Sequence, residues 1–385
     1  MRTSITIVLV LLFLAASDLV AETPSINNGA GLSERSQDME LPDFWRGRVE
    51  DVQETVEKVS EGRVEVIARS PGGRNIYLVS YGERDDFASQ ANYNSACGAR
   101  NPGYYARKTD RTKPVIFFLG PVHGQEVEGI VGLVNLIHIA ETGSDLRGRS
   151  WENLSDNLSK CRVLIMPCGN PDGRARCPLD SFVGISAKTM AHYGQGSSKD
   201  GTDYGWPGAK QRHPMKDDVG FLGAYFNDDG INMMHDEFFN PMAEETRAIM
   251  KVAQEEAPDY IPVLHSHGSA PAVLQAAYVP HYIKLKIQKF ANQLADRYES
   301  AGLPNHKLSD PGEDGMKLPP PSFNLTSALH HVCGGMSLTF ECSHGLKEPD
   351  YPQFSHDQIL DIQLILYDEL LRFALANPVR WEMDQ

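Results

Sequence analysis

A histidine and a glutamate three positions apart, His123 and Glu126, stand where an apolar run breaks into a turn in KPVIFFLGPVHGQEVEGIVGLVNLI. An imidazole nitrogen and a carboxylate oxygen at that spacing, on a strand-to-helix turn, can point at one divalent ion. Two donors do not close a metal site, and YIPVLHSHGS offers a third, His265, directly after another apolar run. Two histidines and one glutamate form the donor set of a catalytic zinc, which keeps one coordination position open for water. His267 is the competing donor: two residues on, it shares a strand face with His265 and could ligate, support a ligand or touch substrate. Metal hydrolysis also needs a base, and Glu341 stands at the end of the apolar run in GGMSLTFECSHG. A carboxylate there can take a proton from the attacking water and later hand it to the leaving amine.

Such groups must be held by a rigid frame. Short apolar runs rich in branched residues alternate with longer amphipathic stretches, the pattern of an α/β domain with helices covering a buried sheet. The periodicity predicts strands at 64–68, 76–81, 115–119, 162–166, 260–264 and 336–340, and helices at 43–59, 126–139, 243–255, 282–300 and 356–374. Each candidate site residue then falls at the carboxyl end of a strand, where α/β sheets carry their functional groups. From 176 to 229 the composition shifts to Gly, Lys, Asp and Ser with scattered aromatics, and periodicity fails. A long irregular segment inside a compact domain reads as a functional loop, here a wall or lid over the site.

The remaining bounds come from composition. Residues 1–21 read as a secretory signal: Arg2 gives a positive start, 5–16 is almost wholly apolar, and Val20-Ala21 is one candidate cleavage point. That apolar run is short for a bilayer span, so stable membrane insertion is not expected. Residues 22–40 are polar and aperiodic and read as a flexible lead-in to one catalytic domain at 41–380. The formal charge of −15 argues against nucleic acid or anionic lipid as the main partner. Six cysteines in an exported chain allow disulfides, with buried free thiols as the alternative, and no CxxC pair suggests a thiolate cluster. No GxSxG elbow supports a serine hydrolase.

Taken in order, strand-HxxE, NPDG, an Asn-containing segment, strand-HS and strand-TFE resemble the zinc metallocarboxypeptidases related to carboxypeptidase A. ARSPGGRNIYLVSYG and PMAEETRAI extend the likeness from about Leu41 to Ala376. The resemblance implies a mixed, mostly parallel sheet sandwiched between helices, one zinc ion, and hydrolysis of an amide bond near a peptide's C-terminus. It makes His123, Glu126 and His265 the ligands and Glu341 the general base, with Asn170-Pro171-Asp172-Gly173 as a structural turn. It puts the oxyanion-stabilising arginine at Arg212, with Arg174 or Arg176 as alternatives, and a substrate carboxylate contact at Asn232. Met233 then stands where carboxypeptidases proper carry an arginine, and a thioether cannot grip a carboxylate in bidentate fashion. The family's substrate-binding tyrosine has no counterpart in KLPPPSFNLTSALHHVCGG, which offers Phe323, Asn324, His330 and His331 instead. The leading reading is therefore an exported zinc metallocarboxypeptidase acting on peptides. A zinc amidohydrolase or deacylase of the same fold, acting on acylated amino acids or cell-wall peptides, is the alternative, and a non-catalytic binding protein the third.

Overall fold

Runs of branched and aromatic residues become the main strands: β1 (Arg63–Arg69), β2 (Asn75–Tyr81), β3 (Val115–Leu119), β4 (Arg162–Met166), the two-residue β5 (Gly196–Ser197) and β6 (Phe221–Leu222), β7 (Tyr260–His267), β8 (Ala272–Gln275) and β9 (Met336–Ser343). Between them lie α1 (Val49–Val56), α2 (Tyr93–Gly98), α3 (Val127–Thr142), α4 (Glu152–Ser159), α5 (Pro171–Arg176), α6 (Ala187–Gln195), α7 (Glu244–Glu256), α8 (His281–Ser300), α9 (Leu325–Cys333) and α10 (His356–Ala376). This computed structural model describes residues 40–87, 91–109, 111–316 and 318–379. The expected signal at 1–21, and the lead-in up to residue 39, lie outside the described residues.

Seven strands form one sheet in the order β1-β2-β4-β3-β7-β9-β8. The four central strands β4, β3, β7 and β9 run parallel, and β2 and β8 flank them in antiparallel pairing. Alternation along β3 shows how the layers form: Ile116 and Phe118 enter a core shared with α3, α4, α8 and α10, whereas Val115, Phe117 and Leu119 enter a second core with α2, α7 and α9. A central strand clothed on both faces has no polar side to show, which explains the unbroken apolar run VIFFL. β7 and β9 continue three residues beyond the predicted ends, to His267 and Ser343, so His265 and Glu341 belong to the strands themselves.

The short helices α2, α4 and α5 carry no periodic signal, and three further features differ from expectation. β8 is only AVLQ, too short for a period-2 signal, and becomes an edge strand through pairing with β9. α9, where His330 and His331 lie, is fixed by its N-cap, the Asn324 side chain accepting from the Ser327 N–H at 3.2 Å. The segment 176–229 is not irregular throughout: it holds α6, the β5/β6 pair and a 3-10 turn at Gly208–Gln211. All six cysteines are free, and Cys161, Cys168, Cys177, Cys333 and Cys342 are buried.

Two buried carboxylates tie this segment to the frame. Asp172 accepts from Ser70 Oγ at 2.5 Å, Arg74 Nη1 at 2.9 Å and the Asp228 N–H at 3.2 Å, linking the β1–β2 turn to the end of the insertion. Both Glu245 carboxylate oxygens accept from Asn227 Nδ2 at 3.2 Å, while Asn227 Oδ1 accepts from the N–H groups of Asp229 and Ile231. Burial pushes the Glu245 carboxyl up to about 7, the Asn227 hydrogen bond only partly opposing it. An acid whose folded pKa is raised keeps its proton longer in the folded chain, so its contribution to stability is lost as pH rises from the usual carboxylate range through about 7. Glu245→Gln should therefore raise Tm relative to the parent at about pH 8 and give no such gain at about pH 5, read by thermal unfolding in the presence of chelator.

Candidate active site

β3 ends at Leu119 and the chain turns sharply into α3. Gly120 and Gly124 are required by close approach: a Cβ would lie 2.3 Å from the Pro167 carbonyl oxygen at Gly120 and 2.1 Å from the backbone of Gly173 and Arg174 at Gly124. The partner of this turn is Asn170-Pro171-Asp172-Gly173. Asn170 caps α5 through the Gly173 N–H at 2.9 Å and donates its amide to the carbonyls of Val122 at 3.1 Å and Ala224 at 3.2 Å. The NPDG segment thus clamps the His123 turn against the insertion.

His123, Glu126 and His265 are buried, and their ligand-type atoms all lie within 4.8 Å of one another. His123 Nδ1 is 2.8 Å from Glu126 Oε1, and His265 Nδ1 is 2.9 Å from Glu126 Oε2. The far nitrogen of His123, Nε2, faces Asn232 Oδ1 at 3.2 Å and selects the tautomer protonated there. Nδ1 of the neutral ring then offers a lone pair to a carboxylate oxygen, so two acceptors face each other and a cation or proton belongs between them. His265 Nε2 is buried without a hydrogen-bond partner among the described residues, a costly state for such an atom. Two imidazoles and one carboxylate fit zinc.

The electrostatics sort the carboxylates. Burial alone would raise Glu126, but His123 and His265 beside it hold it well below the ordinary carboxylate range. Glu341 is the register partner of His265 across β7 and β9 and is partly open to solvent. Burial pushes its carboxyl up to about 7, with the Glu126 charge adding and His265, His344 and Lys210 opposing. A carboxylate that titrates near neutrality beside a metal-type cluster is suited to accept and return a proton.

Around this cluster the insertion builds a wall. The Tyr225 ring stacks on His123 with centroids 4.0 Å apart and planes 15° from parallel. The Asn232 N–H donates to His213 Nε2 at 2.8 Å, and Asn232 Oδ1 also accepts from the Met234 N–H at 3.0 Å. His267 donates from Nε2 to the Ala270 carbonyl at 2.8 Å and is not one of the three grouped donors.

The side-chain placements bear on several expected positions. Asn232, expected to touch substrate, has its carbonyl oxygen facing His123 and accepting from the Met234 N–H. Met233 is fully buried in the α2–α7–α9 core. Arg212 is exposed, paired with Asp218 at 2.9 Å and lying over the Tyr204 ring, rather than aimed at the cluster. The alternatives are engaged too: Arg174 donates to the Cys177 and Leu179 carbonyls, and Arg176 to those of Gly223 and Phe226 and to Asp228. His330 bonds the Gly335 carbonyl and His331 that of Tyr278, so both serve α9 and its surroundings.

Two residues went unread. Lys210, on the Gly208–Gln211 turn, is near enough for its charge to act on His123, His265, Glu126 and Glu341. His235, half-buried on the turn after Asn232, is pulled down to about 3 by burial, with Lys210, His123, His213 and His265 adding. Neither belongs to a spacing motif; only the fold brings them in. If Asn232 orients His123, Asn232→Ala should weaken zinc binding by roughly 10- to 100-fold with little change in Tm, as judged by competition with a chromophoric chelator. In the same titration His265→Ala should lose tight binding and His267→Ala should keep it.

Comparison with known proteins agrees with this geometry. No curated protein matches the chain in sequence. Among solved structures, a metallo-carboxypeptidase from Burkholderia cenocepacia superposes with a TM-score of 0.50 at 14% identity, covering 84% of this chain and 67% of its own. Bovine thrombin-activatable fibrinolysis inhibitor, in complex with tick carboxypeptidase inhibitor, gives 0.51 at 11% identity, covering 86% of this chain and 99% of its own. At such identities the likeness is one of fold. The zinc carboxypeptidase family matches residues 50–278, a stretch that holds His123, Glu126 and His265 but stops short of Glu341. With more than half its length matched and the three donors grouped in space, the chain belongs to the zinc carboxypeptidase family of metallopeptidases.

Proposed function

We propose that this protein is an exported zinc metallocarboxypeptidase that hydrolyses amide bonds near peptide C-termini, with His123, Glu126 and His265 as ligands to one zinc ion and Glu341 as general base. The observation that carries the reading is the convergence of two Nδ1 atoms on the Glu126 carboxylate beside Glu341, whose strand pairs in register with that of His265. Bound zinc would supply a Lewis acid for the scissile carbonyl and acidify the attacking water. Asn232 and Tyr225 keep the His123 ring oriented by hydrogen bond and stacking. Glu341 takes the proton of the attacking water and returns it to the leaving nitrogen, work suited to a carboxyl pushed up to about 7. Export after loss of residues 1–21 belongs to the same reading, and intact mass of the protein recovered outside the cytoplasm would check it. The acidic surface disfavours nucleic acid as a partner.

One observation favours a second reading. Met233 lies in the core, and Arg174, Arg176 and Arg212 are all engaged elsewhere, so none of them gives a bidentate grip on a terminal carboxylate. An amidohydrolase or deacylase acting on acylated amino acids or cell-wall peptides, gripping its substrate elsewhere, is the reading that this leaves open. Digestion of a peptide library in free and amidated forms, with and without chelator, separates the two. Chelator-sensitive loss of single C-terminal residues from the free peptides alone is expected, whereas an untouched library would favour the second reading. Glu341→Gln should keep its zinc and lose roughly 100- to 10,000-fold in kcat; full turnover with zinc retained would remove Glu341 from the base role.

A further inference from the structure

The insertion reaches the His123 imidazole by a second route besides the Tyr225 ring, and this one runs through hydrogen bonds. Residues 213–215 lie alongside 230–232: the Met215 N–H donates to the Gly230 carbonyl at 2.7 Å, and the Asn232 N–H donates to His213 Nε2 at 2.8 Å. The approach is close, since a Cβ on Gly230 would stand 2.4 Å from the Met215 carbonyl oxygen. Met215 is buried in a small apolar cluster with Ala209, Tyr225 and Phe226, so the stretch that carries His213 is anchored beside the ring that stacks on His123. His213 thus meets Asn232 from one side, while the Asn232 side chain faces His123 Nε2 at 3.2 Å on the other.

Each link in this relay has one direction. A backbone N–H can only donate, so His213 Nε2 must carry a lone pair, and the imidazole is neutral with its proton on Nδ1. Burial pulls the His213 pKa down, with Asp236 opposing, which favours that neutral form. At the other end the Met234 N–H donates to Asn232 Oδ1 at 3.0 Å, which fixes the amide with its oxygen toward His123. That oxygen can only accept, so the His123 proton sits on Nε2 and the Nδ1 lone pair is left for an ion. Asn232 is 2% exposed, and without His213 its N–H would lose its partner in a place that water does not freely reach.

Resting on the metal site proposed above, we propose that His213 is a positioning residue for the metal-binding imidazole: its Nε2 fixes Asn232, and Asn232 fixes the tautomer and plane of His123. The insertion thereby helps set how tightly the ion is held, although it supplies none of the three grouped donors. Loss of such support lowers affinity because the ligand must then be oriented at the expense of binding. His213 is half-buried, so His213→Leu removes the acceptor with modest demand on packing, whereas His213→Gln places an amide oxygen near the position of Nε2.

The test measures zinc affinity of the full protein by competition with a chromophoric chelator, with thermal unfolding of the metal-free form as the control for folding. His213→Leu should weaken zinc binding roughly 10-fold, and His213→Gln should recover most of that loss. In an Asn232→Ala background His213→Leu should cost no further affinity, because the amide through which it acts is already gone. A loss that adds in full to that of Asn232→Ala would overturn the proposal. So would a His213→Gln that binds no tighter than His213→Leu, which would assign the loss to packing, and so would parent-like affinity in His213→Leu with a lower Tm, which would leave His213 as a tie for the loop. If the parent protein itself binds no zinc tightly, the metal site proposed above falls and takes this role with it; if the parent binds zinc and His213→Leu matches it, only His213 is excluded.

Discussion

The parallel pairing of β7 with β9 is the constraint on which the site depends. Their register sets His265 directly beside Glu341, and β3 on the other side of β7 sends the His123–Glu126 turn to the same edge. Neighbouring strands lie about 4.8 Å apart, so the imidazole of His265 and the carboxylate of Glu341 on adjacent strands are held at a set distance by backbone hydrogen bonds rather than by loop conformation. A slip of one residue would turn one of the two side chains to the opposite face. The two apolar cores forbid that slip, because Leu264 and Phe340 on one face and Ile261 and Val263 on the other would have to exchange environments. The chemistry inherits the rigidity of the sheet.

That rigidity lets one cluster hold two carboxyl groups in opposite states. Both Glu126 and Glu341 are raised by burial, and what separates them is company: two imidazole nitrogens lie within 3 Å of Glu126, whereas Glu341 meets His265 only as a more distant charge and is repelled by Glu126. One stays ionised and the other titrates near neutrality, the division of labour expected of a ligand and a base. The buried pair His344 and Glu128, 3.0 Å apart, lies just beyond them and adds a further imidazole charge that bears on Glu341. Neutral replacements for either pair would pack no worse, but they would lose the contrast that makes the two glutamates different.

The sequence made the sheet legible wherever burial on both faces forced a continuous apolar run, as in VIFFL and RVLIM, and it made the His123–Glu126 turn legible because strand, turn and helix followed one another without a gap. It also marked NPDG, although the reason for that segment, a glycine-tight clamp on the His123 turn, is visible only in three dimensions. What could not be read was alignment across the insertion. Asn232 and Met233 were assigned by likeness to a short segment, and a polar residue beside an apolar one does not disclose which of them faces the cluster. The fold answers through His123 Nε2 and the α2–α7–α9 core. Arg212 follows a turn without periodicity, so nothing in the one-dimensional pattern marks it as a surface cation paired with Asp218.

The same division explains how the site is assembled. The side that carries the three grouped donors is made by strand ends and the turn leading into α3, elements packed against the two cores. Its open side is made by the insertion, whose attachment runs through a relay of charges: Asp172 to Arg74, Arg74 to Asp228 at 3.4 Å, and Asp228 to Arg176 at 2.5 Å. These ties fix the ends of the segment while leaving the Gly208–Gln211 turn attached chiefly through Ala209 and its apolar neighbours. Changes on that turn would alter what the cluster meets without disturbing what holds it. A fold built in this way can keep its strand-borne donor cluster while the Gly208–Gln211 turn of the insertion changes, because the two answer to separate parts of the structure.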